Sequence, residues 1–337
     1  MSSYKIAMLT VGEPDIATVE RGLDGLDYEI TAHQPQGVED TIAAIRGADV
    51  ILTFGSSVPA EAISSIDKAQ AIVCVSHGFD AIDHDAATEH GIMVVNTPDM
   101  CTEEVANHTL MLILACSGRL IQMDSIVKAG AWERADSERR KVGAVYGKTL
   151  GMVGFGNIAK GVSRRASGFK MELIAFDPYA PPWAARDYGV EMVNSLGVLA
   201  ERSDFVSMQV PLNNSTWRLA GETFFKRMKP SAYFINTCRG GTVDEEALIW
   251  ALQHGEIAGA GLDVFEPEPV AADNPLLTMS NVITTPHSAG SSPNSHPRGL
   301  LQGGQEAARV LRGEWPMSLV NPEVRAKLGP RKPAMNF

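Results

Sequence analysis

Three short polar stretches at the ends of apolar runs hold the side chains best suited to chemistry. They are Asn236-Thr-Cys-Arg239-Gly-Gly, Asp263-Val-Phe-Glu266-Pro-Glu268-Pro and Thr285-Pro-His287-Ser-Ala-Gly290. A guanidinium at Arg239 can grip a carboxylate or a ketone oxygen with two parallel bonds. An imidazole at His287 titrates near neutrality and can give or take a proton. A carboxylate at Glu268 beside that ring favours its charged form. A cation, a proton donor and a group that keeps the donor charged are what the reduction of a 2-keto acid needs.

A fourth stretch, Leu150-Gly-Met-Val-Gly154-Phe155-Gly156-Asn157-Ile158-Ala159-Lys-Gly161, follows an apolar run and opens a helical pattern. That context gives the GxGxx(G/A) spacing meaning. Gly154 lets the chain turn tightly, Gly156 keeps a side chain away from a pyrophosphate, and Ala159 keeps helix and strand close. The helix N-terminus then offers unpaired N–H groups to the anion. Asp177 ends the next apolar run about twenty residues later, the spacing of a ribose-binding acid. Its carboxylate accepts from ribose hydroxyls and repels a 2′-phosphate, so the expected cofactor is NAD rather than NADP.

Alternating strands and helices must position these groups. Apolar runs rich in β-branched residues predict strands at 5–9, 28–31, 50–53, 71–75, 93–95, 150–153, 173–176, 205–209, 233–236, 261–264 and 282–285, with amphipathic segments between many of them. Strands separated by helices call for right-handed crossovers and parallel sheets. Eleven strands in 337 residues, a length of roughly two domains, predict two α/β units. The turn Asn96-Thr-Pro-Asp-Met-Cys101 is the first boundary, and Thr102–Ser117 follows as a helix apolar on nearly every side, buried in a core or against another subunit. A second punctuated region, Pro286–Pro297, precedes the last helix.

Composition narrows the function classes. With 45% apolar and 20% charged residues the chain reads as globular rather than disordered. A net charge of −11 excludes sequence-independent nucleic-acid binding, which needs a basic field, and leaves an anionic substrate to a few placed cations. No apolar run approaches a bilayer span of about 20 residues, and no secretion signal opens the chain. Cys74, Cys101, Cys116 and Cys238 are far apart without a CxxC pair, so buried reduced thiols in a cytoplasmic protein are expected. No histidine spacing suits a metal. His33, His84, His90, His108, His254 and His296 are assigned ordinary surface or capping roles.

In order along nearly the whole chain, the Gly-rich motif, Val210-Pro211-Leu, Met228-Lys-Pro, Ile235-Asn-Thr-Cys-Arg-Gly-Gly, Gly261-Leu-Asp-Val-Phe-Glu-Pro-Glu-Pro, Thr285-Pro-His and Val320-Asn-Pro-Glu resemble the D-isomer-specific 2-hydroxyacid dehydrogenase family. The resemblance implies two doubly wound parallel-sheet domains, with a Rossmann NAD domain (101–288) inserted into a flavodoxin-like substrate domain (1–100 and 289–337). It implies Arg239, Glu268 and His287 as the catalytic three. Glu268 is preferred to Glu266 because the family's acid stands immediately before the second proline. It places Asp263 at the nicotinamide amide, and Val210, Pro211, Thr237 and Cys238 along the cofactor with His287. A cleft that closes on binding and a homodimer built around the long helix are further implications.

The substrate side departs from the pattern. Family members tend to carry a Gly-x-Gly loop that binds the substrate carboxylate, often with an arginine upstream; here it reads Cys74-Val-Ser76-His77-Gly78. The backbone role is expected to survive at His77 and Gly78, with the His77 side chain left open between ligand contact and structure. Thr53-Phe54-Gly55-Ser56 stands where phosphate-binding relatives carry Arg-Ser, which argues against a phosphorylated substrate. Phe54 instead suits a small or apolar substituent, as in glyoxylate- or hydroxypyruvate-like acids. The other functions open on this scaffold are an NAD-binding corepressor and a phosphite-type dehydrogenase; slow turnover on every keto acid would favour the former.

Overall fold

The computed structural model describes residues 3–333. The chain divides into two compact units: one runs to Cys101 and resumes at Ser291, and the other is Thr102–Gly290. Both are parallel sheets covered by helices on two faces, the arrangement that continuous apolar strands require.

In the first unit, β1 (Tyr4–Thr10), β2 (Tyr28–His33), β3 (Val50–Phe54), β4 (Ala71–Cys74) and β5 (Met93–Asn96) pair in the order β2-β1-β3-β4-β5, a flavodoxin-like sequence. The order reverses between β1 and β3, so a crevice opens beyond their carboxyl ends. Phe54 ends β3 at that point. The helix Ser295–Leu311 buries Leu300, Ala307 and Val310 against one face, with Leu52, Val73 and Val95 beneath. Ile51, Ile72 and Val94 point to the other face and meet Ile45, Ile63 and Ala87.

In the second unit, β6 (Thr149–Val153), β7 (Glu172–Phe176), β8 (Val190–Met192), β9 (Phe205–Met208), β10 (Tyr233–Asn236), β11 (Gly259–Leu262) and β12 (Val282–Thr284) pair in the order β12-β11-β10-β9-β6-β7-β8. This is the doubly wound Rossmann order, with its switch between β6 and β9. One face buries Leu110, Leu112 and Ile113 of the helix Thr102–Ser117 with Ala159 and Val162 of the helix Asn157–Gly168. The other face packs around Phe225 and Phe234, whose rings meet edge-on at 5.2 Å. Both are fully buried, so truncating either to alanine would cost about 3–5 kcal/mol.

All eleven predicted strands form, and a twelfth joins them. β8 is three residues long at the sheet edge, too short for periodicity to reveal. β11 starts and ends two residues earlier than the apolar run suggests, which leaves Asp263 in the loop beyond the strand. The helix Thr102–Ser117 is not buried all round: Met111 and Leu114 are 47% and 36% exposed. Among the described residues no single helix is long and apolar enough to cross a membrane.

Candidate active site

The turn after β6 is shaped for an anion. Gly154 has φ +97°, and a Cβ there would lie 2.4 Å from the Gln209 carbonyl oxygen, so only glycine fits between β6 and β9. Gly156 is different: a Cβ would meet nothing within 4 Å, so the loop leaves open space over the helix it begins. That helix, Asn157–Gly168, has no side-chain N-cap and no acid in its first turn. Its first N–H groups are therefore left to a ligand, and the helix dipole favours a negative one. The residues fit a pyrophosphate.

Asp177 follows β7 and braces the same loop. Its Oδ2 accepts from the Phe155 N–H at 2.9 Å, and its Oδ1 accepts from the N–H groups of Tyr179 and Ala180 at 2.8 and 3.0 Å. Val210, beyond β9, has a methyl group 3.0 Å from where a Gly154 Cβ would stand, and the neighbouring Pro211 is exposed. Beyond β10, Thr237 is buried and meets Thr109 hydroxyl to hydroxyl at 3.0 Å. Burial pushes the Cys238 thiol up from its ordinary pKa, against smaller opposing bonds that include Thr242 and the Val210 backbone. Gly154, Val210 and Cys238 thus line one end of the sheet, where β6, β9 and β10 stop.

Glu268 and His287 meet directly: Oε2 of the carboxylate is 2.6 Å from Nδ1 of the ring, and Oε1 accepts from the Phe265 N–H at 3.0 Å. Partial burial pulls the Glu268 carboxyl upward. The bonds from His287 and Phe265, with the charges of His287 and Arg239, outweigh that and hold it below the usual glutamate value. A carboxylate only accepts, so Nδ1 carries a hydrogen and Nε2 is the nitrogen left for chemistry. Arg239 sits in an extended backbone at the start of a tight turn. Asn236, 1% exposed, staples that turn by donating to the Arg239 carbonyl at 2.9 Å and accepting from the Cys238 N–H at 3.0 Å. Glu266, the carboxylate not chosen, is exposed.

Asp263 is fully buried and shapes the histidine loop. Its carbonyl accepts from the His287 N–H at 2.7 Å, and its carboxylate accepts from the N–H groups of Ser288 and Ala289 at 2.9 and 2.8 Å. His287 has φ +49°, a conformation non-glycine residues adopt at a cost. These bonds hold it there.

The first unit carries Phe54 and the loop Ser76-His77-Gly78. The Ser76 hydroxyl and the Cys74 thiol both turn onto the Gly78 carbonyl, which curls the loop and spends the serine side chain internally. β5's end clamps it: the Thr97 N–H donates to the Ser76 carbonyl at 3.1 Å, and Asn96 Nδ2 donates to the His77 carbonyl at 2.7 Å. His77 Nδ1 lies 2.8 Å from the Pro98 carbonyl oxygen, which fixes this ring nitrogen as a donor. Phe54 is half-buried with its ring edge on His296 at 5.3 Å. The buried hydroxyls of Ser56 and Thr97 have no partner in the described residues.

One of the histidines assigned a surface or capping role departs from it. His108 is no surface residue: its side chain is 13% exposed and its Nε2 lies 2.9 Å from the Thr285 hydroxyl. His296 is exposed, as assigned, and meets the Phe54 ring edge-on. Asn236 gave a readable signal, since it sits inside the Asn-Thr-Cys-Arg motif and a buried amide there must be satisfied.

Residues 110–289 match the family described as D-isomer specific 2-hydroxyacid dehydrogenase, NAD binding domain. A glyoxylate reductase of Korarchaeum cryptofilum is 38% identical over 312 residues, 90% of this chain and 94% of that one. A D-3-phosphoglycerate dehydrogenase of Methanocaldococcus jannaschii is 40% identical over 300 residues; the match covers 88% of this chain but only 56% of that protein's length. Among solved structures, a holo form of Rhodotorula graminis D-mandelate dehydrogenase superposes with a TM-score of 0.85 at 27% identity, covering 95% of this chain and 98% of that one.

Proposed function

Because the chain belongs to the D-isomer-specific 2-hydroxyacid dehydrogenase family and is an NAD-dependent oxidoreductase, we propose that it interconverts a small, non-phosphorylated 2-keto acid and its D-2-hydroxy acid. The Glu268–His287 pair, with the Arg239 charge bearing on it, is the observation that supports this most. The acid class is glyoxylate- or hydroxypyruvate-like. Phe54 occupies the end of β3 where a phosphate-binding site would want a cation, and the glyoxylate reductase relative points the same way.

NADH, when bound, supplies the hydride that reaches the C2 carbonyl carbon. His287 gives the proton from Nε2 to the carbonyl oxygen, which leaves a neutral ring and a hydroxyl at C2. In oxidation the neutral ring takes that proton back. Glu268 accepts from Nδ1 and stabilises the charged ring before transfer. Arg239 holds the substrate carboxylate or carbonyl oxygen. The backbone of His77 and Gly78 is assigned to the substrate carboxylate, and Phe54 to the substituent on C2.

We assign NAD over NADP from Asp177, whose negative charge opposes a 2′-phosphate. The protein forms a homodimer in this proposal, which the exposed apolar side chains Met111, Leu114, Leu120 and Ile121 of the NAD unit support. Light scattering behind a sizing column tests the dimer. The activity is tested by following NADH oxidation with glyoxylate, hydroxypyruvate, pyruvate, bulkier 2-keto acids and 3-phosphohydroxypyruvate. Turnover greatest on a small unphosphorylated acid is expected, and preference for the phosphorylated one would overturn the assignment. His287→Ala should lower kcat by about 10²–10⁴, the weight of a general acid, while NADH titration still shows binding.

A further inference from the structure

Nothing in the reaction above uses His108, yet it reaches into the centre of the histidine loop. It lies in the helix Thr102–Ser117 with its side chain 13% exposed, and its Nε2 is 2.9 Å from Thr285 Oγ1. Thr285 Oγ1 in turn lies 2.5 Å from Asp263 Oδ1, and His108 Nε2 itself is 3.5 Å from that oxygen. The direction of this chain is fixed by chemistry. The Asp263 carboxylate can only accept, so the single hydroxyl hydrogen of Thr285 goes to it. The Thr285 oxygen must then accept, and the hydrogen it accepts is on His108 Nε2. The sequence of donors is His108 to Thr285 to Asp263, with no freedom to reverse while Asp263 is ionised.

What hangs on the end of the chain is the proton-transfer residue. Asp263 Oδ1 also accepts from the Ser288 N–H, Oδ2 from the Ala289 N–H, and the Asp263 carbonyl from the His287 N–H. These three amides follow one another, and the first belongs to a residue at φ +49°. An unfavourable backbone of this kind persists only where its surroundings over-determine it. Losing the His108 hydrogen would leave Thr285 Oγ1 without its donor in a half-buried place, and would free the hydroxyl to turn from Asp263.

We propose that His108 is a positioning residue for proton transfer: through the Thr285 hydroxyl and the Asp263 carboxylate it holds the loop Thr285–Ala289 in the shape that presents the His287 ring. It touches neither substrate nor the reacting atoms in this role. The inference rests on the assignment of His287 as the proton donor, and it adds a helix-borne residue to the set that determines the rate.

The test is a rescue series in the full-length protein. Glutamine places an N–H₂ donor near the position of Nε2, whereas alanine places nothing. His108→Ala should lower kcat for keto-acid reduction by about 10- to 100-fold, the cost of displacing a reacting group by an ångström or less, and raise the solvent deuterium effect on kcat. His108→Gln should recover most of the loss. The same contrast is expected at Thr285, where Thr285→Ser keeps the hydroxyl and Thr285→Val removes it at equal volume. This second pair also decides the matter if His108→Ala fails to fold. Equal kcat in His108→Ala and His108→Gln, with equal kcat in the two Thr285 variants, would overturn the proposal, because a space-filling role does not distinguish donors. NMR of the His287 ring separates the two levels of inference. A ring signal displaced in His108→Ala and restored in His108→Gln supports the link even if the wild type reduces no keto acid, whereas an unmoved signal refutes it.

Discussion

Glu268 Oε2 and His287 Nδ1 are 2.6 Å apart, and the carboxylate is tied on its other oxygen to the Phe265 backbone. The ring therefore has one fixed side and one working side. Removing the charge while keeping the shape tests how much the fixed side matters. In Glu268→Gln the ring loses its anionic neighbour, so kcat for keto-acid reduction should fall by about tenfold or more. An unchanged kcat would remove Glu268 from the mechanism. The same carboxyl lies below its ordinary value in the folded protein. Its contribution to stability is accordingly complete above the unfolded value of about 4.3 and fades only as pH falls through the lower folded one. Urea midpoints of wild type and Glu268→Gln should differ at pH 7 and converge in strong acid.

The parts of this arrangement that were legible in the sequence are those written in contiguous residues. Runs such as Phe205–Met208 are buried along their whole length, so their apolar continuity announces a central strand. The glycine loop and Asp177 belong to one unbroken strand–helix–strand run, residues 149–176 with the acid just beyond it. Long-range partnerships were not legible. His108 and Thr285 are 177 residues apart, and nothing in a helix reading Glu-Glu-Val-Ala-Asn-His marks the histidine as facing inward to a threonine hydroxyl. β8 escaped for another reason: with one buried residue out of three at a sheet edge, it is too short for an apolar period to show.

Asp177 gives a prediction about cofactor choice. Both its oxygens accept backbone N–H groups, one of them from Phe155 in the glycine loop. Asp177→Asn keeps an acceptor of the same size and removes the charge. The ratio of kcat/KM for NADPH over NADH should rise by about tenfold or more, since a like charge facing the 2′-phosphate costs several kcal/mol. An unchanged ratio would mean that the ribose end is read by other residues.

Two glycines should respond in opposite ways to the same added methyl. At Gly156 a Cβ meets nothing within 4 Å, and the backbone lies in an extended region open to alanine. Gly156→Ala should cost less than about 1 kcal/mol of stability, the scale of a weakened N-cap, yet weaken NADH binding because the methyl occupies the anion's space. At Gly240 a Cβ would stand 2.0 Å from the Phe265 carbonyl carbon and oxygen. The Arg239 turn would have to leave the Phe265–Glu266 backbone, so Gly240→Ala should lose about 3 kcal/mol or more. Thermal melts with NADH titration check both. A destabilised Gly156→Ala with normal NADH affinity would reverse the assignment of that space to a ligand.

The cysteines make a chemical test of the two interiors they report on. Cys116, at the inner end of the helix Thr102–Ser117, is buried against the sheet, and burial pushes its thiol up to about 12 despite the nearby Arg119 charge. Cys238 is likewise raised by burial beside the Arg239 turn. The thiolate is the nucleophile, so at pH 8 both should be nearly inert in the native protein. Iodoacetamide followed by peptide mass spectrometry should find Cys116 and Cys238 unmodified when folded and fully modified in denaturant. Rapid native labelling of Cys238 would show that the Arg239 turn opens in solution, and would place that turn, rather than the sheet beneath it, among the moving parts of the site.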